Sequence, residues 1–447
     1  MTTVAEARAE LEAKTRASQA IAEDRSEILN SGLAANLEMP HPIFIQRGEG
    51  GAVIDADGNR YIDTSVGFGL HMLGHAHPEI KAAIQNRAED GWMFGIHTTA
   101  QLGLANLVHE ASPCAERVVF CNTGSEATMY AFRAARGYSG REKIALFDGF
   151  YHGAHDYGMW VTNPASPVDA PEPVPMGHGI PAALRDLVLM LPYRNAAAFD
   201  LIRKHKDELA LVFVEGVQSS NPQPEVGEFL QELAEVCRAC DVLFGLDEVI
   251  TGFRVAYGGA QERFGVKPDI ATYGKVVGGG LPVGAITGRA DLMEVFTGLS
   301  ADRGVFSGGT FSGNPLTMEA GRVMVQHLHD HPEIYRRLDA AGDRLAGAVN
   351  AHCERHQIPA QMKNVGSMFH MFFQREAVES MRDVLRSGTQ AEKGFYLHAL
   401  NRGVLVPGTQ RAFLCAAHED SDVDRLIEVF CTSLSDVQDE GLFEEAA

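Results

Sequence analysis

Between residues 117 and 290, short apolar runs alternate with segments of helical period. "RVVFC" leads to "SEATMYAFRAARGYSG" and then "KIALFDG"; further on come "LALVFVEG", "FLQELAEVCRA", "VLFGLDEVI", "IATYGK" and "PVGAITG". Runs that are apolar almost throughout predict strands buried on both faces, and their alternation with helices predicts an α/β unit with a mostly parallel sheet. The stretch before it, "IFIQRGEGGAVIDADGNRYID", is patterned differently: alternating segments flank a D-G-N turn, which predicts a hairpin or meander. After residue 320, a long helical period runs into strands around "MFHMFFQ" and "GVLVPG", the signature of a smaller α+β part. The expected division is an N-terminal helix and meander over 1–65, a large α/β domain over 66–320 and a C-terminal domain over 321–447, with the first and last sharing the small domain.

Composition narrows the function class. Of 447 residues, 45% are hydrophobic and 22% charged, as in ordinary globular chains. Lys and Arg total 38 against 59 for Asp and Glu, a formal charge of −21. That balance opposes nucleic-acid partners, whose phosphates need basic side chains, and anionic membrane surfaces equally. No run approaches the roughly 18 apolar residues of a membrane helix. The first 29 residues are rich in acids and lack an apolar core, so neither export nor organelle import is expected, and they read as an exposed amphipathic helix. Seven cysteines without a framework fit a reducing cytoplasm. Cys237 and Cys240 form C-R-A-C, but at the end of a helical pattern, where no helix N-terminus stabilises a thiolate; they are expected to be structural. No metal-ligand spacing stands out.

The chemistry gathers at strand ends. "LFGLDEVITGFR" places Asp247 and Glu248 directly after a buried strand, and a buried carboxylate is costly without a partner. Ligands of open α/β sheets bind beyond the carboxyl ends of the strands, where Asp247 falls. Lys275 ends "IATYGK" before the glycine-rich "VVGGGLPVG", so its amine can approach a cofactor unobstructed; taken alone it reads sooner as a solvated terminal lysine, since most lysines are exposed. "FCNTGSEATMYAFRAARG" runs strand, N-T-G-S, helix, which aims free N–H groups and the positive helix end at one point suited to a phosphate; by itself it is also an ordinary N-cap. Tyr151 and His152, in "GFYHGAHD", follow a strand and can stack on a planar ring. Together, a phosphate cradle, a ring stacker, a carboxylate and a lysine meet the needs of one cofactor, pyridoxal 5′-phosphate (PLP). Asp247 would then pair with the ring N–H.

These same segments carry a resemblance. "LDEVITGFR…GVKPDIATYGKVVGGGLPVGA", "NTGSEATMYAFRAARGYSGREKI", "YHG" and "GGTFSGNPLTMEAG" resemble the class III aminotransferases of PLP fold type I, over about residues 40–430. Within them the chain is most similar to the branch of glutamate-1-semialdehyde aminomutase and β-amino-acid aminotransferases. The resemblance implies a large domain with a mostly parallel seven-stranded sheet, plus a smaller α+β domain. It implies that Lys275 is the Schiff-base residue and proton shuttle, that Asp247 pairs the pyridinium, and that Val249 and Tyr151 cover the two ring faces. Gly124 and Ser125 would hold the phosphate, with His152 and Glu215 beside the cofactor. Thr310 would reach the phosphate of a neighbouring subunit, making the active unit a homodimer. Gly216 departs from the family by replacing the usual Pro after Glu215.

Further departures bear on substrate. The aminomutase carries S-P-V-R before the meander, whose Arg grips the substrate carboxylate; here the stretch is "SGLAANLEMPHP", with Glu38 near that place. Near the other end, "VLVPGTQRAFLCAAH" puts Arg411 where related aminotransferases place a carboxylate-binding Arg, and an Arg can take a carboxylate in bidentate fashion. Phe68 stands where the family lines the substrate pocket with an aromatic residue. The expected function is therefore an aminotransferase moving an amino group from an amine or amino acid, β- and ω-amino acids included, to a keto acid or aldehyde. The alternative is the isomerase, a glutamate-1-semialdehyde aminomutase. A non-catalytic PLP-binding scaffold is opposed by the co-occurrence of Lys275, Asp247 and the phosphate loop.

Overall fold

The computed structural model describes residues 2–25, 40–298, 303–386, 388–407 and 411–443. Two units emerge, one of Glu79–Ser219 with Gln223–Tyr335, the other of Met1–Pro78, Ser220–Pro222 and Arg336–Ala447. The boundaries thus fall after residues 78 and 335, later than the expected 65 and 320. The left-handed turn at Val66–Gly69 packs on the strand Ala412–Phe413 and so belongs to the small unit. The helix Pro315–Asp330 packs on Thr99–Ala111 and so closes the large one.

In the larger unit the apolar runs become strands β1 (Arg117–Cys121), β2 (Lys143–Phe147), β3 (Val188–Leu191), β4 (Leu209–Glu215), β5 (Leu243–Glu248), β6 (Ile270–Gly274) and β7 (Gly284–Gly288). Among the described residues they form one seven-stranded sheet, ordered β1-β7-β6-β5-β4-β2-β3. β7 runs antiparallel to both neighbours, and the other pairs are parallel. β4 and β5 are buried at every position, so neither has a solvent face on which polar residues could alternate. The helices used below are α1 (Thr99–Ala111), α2 (Gly124–Ser139), α3 (Gly227–Ala239) and α4 (Pro315–Asp330). α2 lies across β4, β6 and β7 on a face of Ala127, Ala131, Ala134 and Ala135, all fully buried; small side chains let the helix seat low on the sheet.

The C-R-A-C pair sits as its helical context predicted. Cys237 is buried in the last turn of α3, where burial pushes its thiol well above the usual range, and Cys240 caps the helix. All seven cysteines are free thiols.

The smaller unit holds the predicted hairpin. Ala52–Asp55 pairs antiparallel with Arg60–Asp63 around Gly58, which adopts φ 87°. Asp55 organises the turn: its carboxylate accepts from the N–H groups of Asp57 (3.0 Å) and Asn59 (2.8 Å), and from the buried Tyr61 hydroxyl (2.9 Å). The N-terminal helix Val4–Lys14 is closed by a capping box between Thr3 and Glu6. It is not merely exposed: Leu11 is buried against Val53, Tyr61, Leu397 and Leu400 of its own chain.

Two outcomes follow for this architecture. Asp55→Ala strands a buried tyrosine hydroxyl and two turn amides, and is expected to cost about 2–3 kcal/mol of unfolding stability, read as a lower urea midpoint. Cys237 is expected to resist iodoacetamide in the native protein and to react once urea unfolds it, followed by peptide mass spectrometry.

Candidate active site

Asp247 and Glu248 are adjacent on a strand, so their side chains leave opposite faces. Each has its own partners. Glu248 is fully buried and accepts from the backbone N–H groups of Ala260 and Gln261, both at 3.0 Å, and from the Thr251 hydroxyl. Burial still pushes its carboxyl above the usual range, against the pull of those donors. Gln261 continues the network to the Tyr273 hydroxyl at 2.8 Å, which in turn donates to Ser112 at 2.8 Å. Glu248 therefore belongs to a polar core that ties β5 and β6 to the following loop. The sequence reading gave it no role, although the two-residue period of a strand already demands separate partners for neighbouring acids.

Asp247, 4% exposed, stands at the carboxyl end of β5, level with Glu215 on β4 and Thr272 on β6. Its Oδ1 accepts from the Val249 N–H (3.0 Å) and the Thr272 hydroxyl (3.2 Å), and its Oδ2 lies 2.8 Å from His152 Nδ1. The expectation that His152 stacks on a ring is corrected here. Its imidazole is itself enclosed, stacked on Phe150 and edge-on to Phe213, and its polar edge is turned to Asp247.

Lys275 follows β6 directly and takes φ 51°, a left-handed backbone that a non-glycine residue adopts at a cost of about 1–2 kcal/mol. It opens the short turn Lys275–Gly278. The glycines beyond it are closely packed. A Cβ on Gly279 would lie 2.3 Å from the Ala320 carbonyl oxygen of α4, and one on Gly321 of α4 would lie 2.2 Å from the Val277 carbonyl oxygen. The glycine-rich loop is a seam packed against α4, which fixes the turn that carries Lys275.

Three backbones converge beside Lys275. Val249 reaches between Gly124 and Gly274: its Cγ1 would be 2.9 Å and 3.2 Å from a Cβ at those positions. At the start of α2, Thr123 is the N-cap and accepts from the Glu126 N–H at 3.0 Å, while the earlier first-turn N–H groups have no acceptor within the helix. Ser125 Oγ accepts from the Ala154 N–H at 3.0 Å, and Gly153, at φ 95°, is needed because a Cβ there would lie 2.7 Å from Ser125 Cα. Glu215 is likewise buried and accepts from the N–H groups of Tyr151 (3.1 Å) and Ser219 (3.0 Å). It thereby ties the loop that carries the half-exposed Tyr151 ring to the end of β4. Gly216, in place of the family's Pro, has a steric cause: a Cβ would fall 2.2 Å from that of Ala260.

Gly124, Ser125, Tyr151, His152, Glu215, Asp247, Val249 and Lys275 thus gather along one edge of the sheet. Thr310 is exposed on a loop whose Ser312 lies 3.3 Å from Asn122, at the β1–α2 corner. Phe68 and Arg411 lie in the smaller unit. Phe68 is 43% exposed in a turn where Val66, Gly67, Phe68 and Gly69 all have positive φ; Arg411 precedes Ala412–Phe413. Glu38 lies outside the described residues. Among the described residues no group of three or more His, Cys, Asp or Glu is arranged for a metal.

The large-unit residues fit PLP. A buried carboxylate at a strand end suits a ring N–H, the open first turn of α2 suits a phosphate, and glycines at 124 and 153 keep backbone close to both Val249 and Ser125. Residues 33–431 match the family model "Aminotransferase class-III". The chain is 39% identical to a glutamate-1-semialdehyde 2,1-aminomutase of Methanoculleus marisnigri over 88% of this chain and 93% of that one. Among solved structures, an omega-transaminase from Sphaerobacter thermophilus is 32% identical with a TM-score of 0.88, covering 94% of this chain and 98% of its own. A beta-phenylalanine aminotransferase from Variovorax paradoxus is 30% identical with a TM-score of 0.84, covering 96% of each. The chain belongs to the class III aminotransferases, PLP-dependent enzymes of fold type I.

Proposed function

We propose that this chain moves an amino group within one substrate, turning glutamate-1-semialdehyde into aminolevulinate with PLP held at Lys275. The observation that carries this reading is the 38–40% identity to aminomutases over most of both chains. A second reading, transfer between a separate donor and acceptor, was the one expected from the sequence, and the aminomutase relatives favour it less. It draws support from transaminase structures at 30–32% identity, and from the stretch around Glu38, which has no Arg where the aminomutase carries one. In that reading Arg411 and Phe68 recognise the carboxylate and the apolar part of a β- or ω-amino acid.

Bound PLP supplies an electron sink for the substrate carbon that loses its proton. The chain's own residues do the rest. Lys275 would anchor the cofactor and carry the proton at its Nζ. Asp247 keeps the ring nitrogen protonated, Val249 and Tyr151 bracket the ring, and Gly124 and Ser125 orient the phosphate. Thr310 completes the phosphate site of a second copy. A homodimer is supported by apolar side chains left exposed on the large unit, with Trp92 55%, Ile96 80% and Phe311 63% exposed. Aqueous cytoplasm is the proposed compartment; among the described residues no helix is long and apolar enough to cross a membrane.

The test is a visible spectrum of the purified protein under single turnover, against α-, β- and ω-amino acids, an arylamine and glutamate semialdehyde. Turnover of the semialdehyde without any keto acid supports the aminomutase. Bleaching by other amines, restored by pyruvate or 2-oxoglutarate, replaces it with the transaminase. In either case Lys275→Ala should lower kcat by roughly 10²- to 10⁴-fold, the usual worth of a positioned proton carrier. For the assembly, Ile96→Glu is expected to shift light-scattering mass from two chains toward one; a wild-type protein already at one chain would remove the shared-site proposal.

A further inference from the structure

The Asp247 carboxylate can be counted out. An ionised carboxylate offers about four lone-pair sites, two on each oxygen. Val249 N–H and the Thr272 hydroxyl occupy Oδ1, at 3.0 and 3.2 Å. His152 Nδ1 occupies one site of Oδ2, at 2.8 Å. One site is left, on the oxygen that His152 already holds.

His152 is built to hold it. The residue is 1% exposed. Phe150 lies parallel to its ring at 5.9 Å, and Phe213 meets it at 4.8 Å. Its backbone carbonyl accepts from the buried Thr128 hydroxyl of α2 at 2.6 Å, which ties the backbone that carries the ring to α2. A carboxylate only accepts, which places the imidazole proton on Nδ1. Nε2 is buried with no hydrogen-bond partner among the described residues. His152 is therefore a donor aimed at one oxygen.

We propose that His152 is a positioning residue for the cofactor: by donating to Oδ2 it locks the Asp247 carboxylate in the rotation that presents its last lone pair to the ring N–H of PLP. The proposal rests on the reading of Asp247 as the partner of that ring nitrogen. It differs from a stacking role, which would need an aromatic ring and no donor. It also differs from a packing role, which any apolar side chain of similar size would fill.

Two substitutions separate these. His152→Leu keeps bulk and removes the donor; His152→Asn loses ring area but keeps an N–H near the place of Nδ1. PLP affinity is measured by equilibrium dialysis, the visible absorption band of the bound cofactor is recorded, and kcat and KM are taken on the best amine. The leucine variant is expected to bind PLP roughly 10- to 100-fold more weakly, the equivalent of losing one hydrogen bond to a charged group, with an altered band. Its kcat should fall with KM little changed, and the asparagine variant should recover most of each loss. Wild-type affinity and band in the leucine variant, or asparagine no better than leucine, overturns the proposal. If the leucine variant does not fold, Thr128→Val gives the same reading through His152's backbone: a few-fold weaker affinity supports it and an unchanged one overturns it. Asp247→Ala, run alongside, isolates the premise. If it too binds PLP as the wild type does, the Asp247 assignment has failed; if it alone loses the cofactor, only the His152 inference has.

Discussion

A carboxylate sealed from water at the end of a buried strand constrains everything around it. Asp247 is tolerated there because three protein donors reach it from three different elements: the turn after its own strand, the neighbouring strand β6, and the loop after β2. Each donor needs its own backbone held in place. The loop is held by Ser125 from α2 and by Glu215 from β4, and the turn by the Glu248 network on the far side of the same strand. One buried charge therefore recruits the two adjacent strands, the first turn of α2 and two loops into a single rigid arrangement. Rigidity at a cofactor site is what electrostatic preorganisation requires.

Much of this was legible in the sequence. Near-continuous apolar runs announced β4 and β5 because both of their faces are covered, and D-G-N announced the hairpin because its φ requirement is local. The candidate site was legible as a set of residue types at strand ends, and the large unit brings eight of them to one edge. What was not legible depends on side-chain direction across long separations. His152 and Asp247 are 95 positions apart, and nothing in either neighbourhood says that an imidazole beside a tyrosine turns its nitrogen to a carboxylate rather than its face to a ring. The packing of the glycine-rich loop after Lys275 was hidden for a related reason. Its small residues meet small residues of α4, a contact that only the folded chain reveals. Domain ends were misplaced by 13 and 15 residues (78 against 65, 335 against 320), since they depend on which core a helix or turn finally covers.

Substrate choice is a different kind of question from cofactor chemistry. The residues that fit PLP lie in the large unit, whereas Phe68 and Arg411, proposed to recognise substrate, lie in the small one, on segments with their own demands. Of the four successive positive φ values at Val66–Gly69, those of Val66 and Phe68 are strained, Val66 most of all because its side chain branches at Cβ. Strain of that kind persists only where the surroundings impose it; here the Phe413 ring sits against Gly69, and the Phe413 N–H donates to the Thr64 carbonyl. The strand that carries Arg411 toward Phe413 and the turn that carries Phe68 are thus braced against each other.

The small unit is also assembled from the two extremes of the chain. Val4 donates to Glu440, Leu11 packs on Leu397 and Leu400, and Val404–Leu405 completes a sheet begun at Ile45–Glu49. On a ribosome adding roughly 5–20 residues per second, the hairpin and first helix wait about 20–80 s for those partners to be made. Through that interval the large unit, nearly contiguous in sequence, can already close, while the edge of Arg60–Asp63 and the apolar face around Leu11 stay uncovered. A nascent chain of this design therefore carries its own N-terminus as the segment most in need of a chaperone.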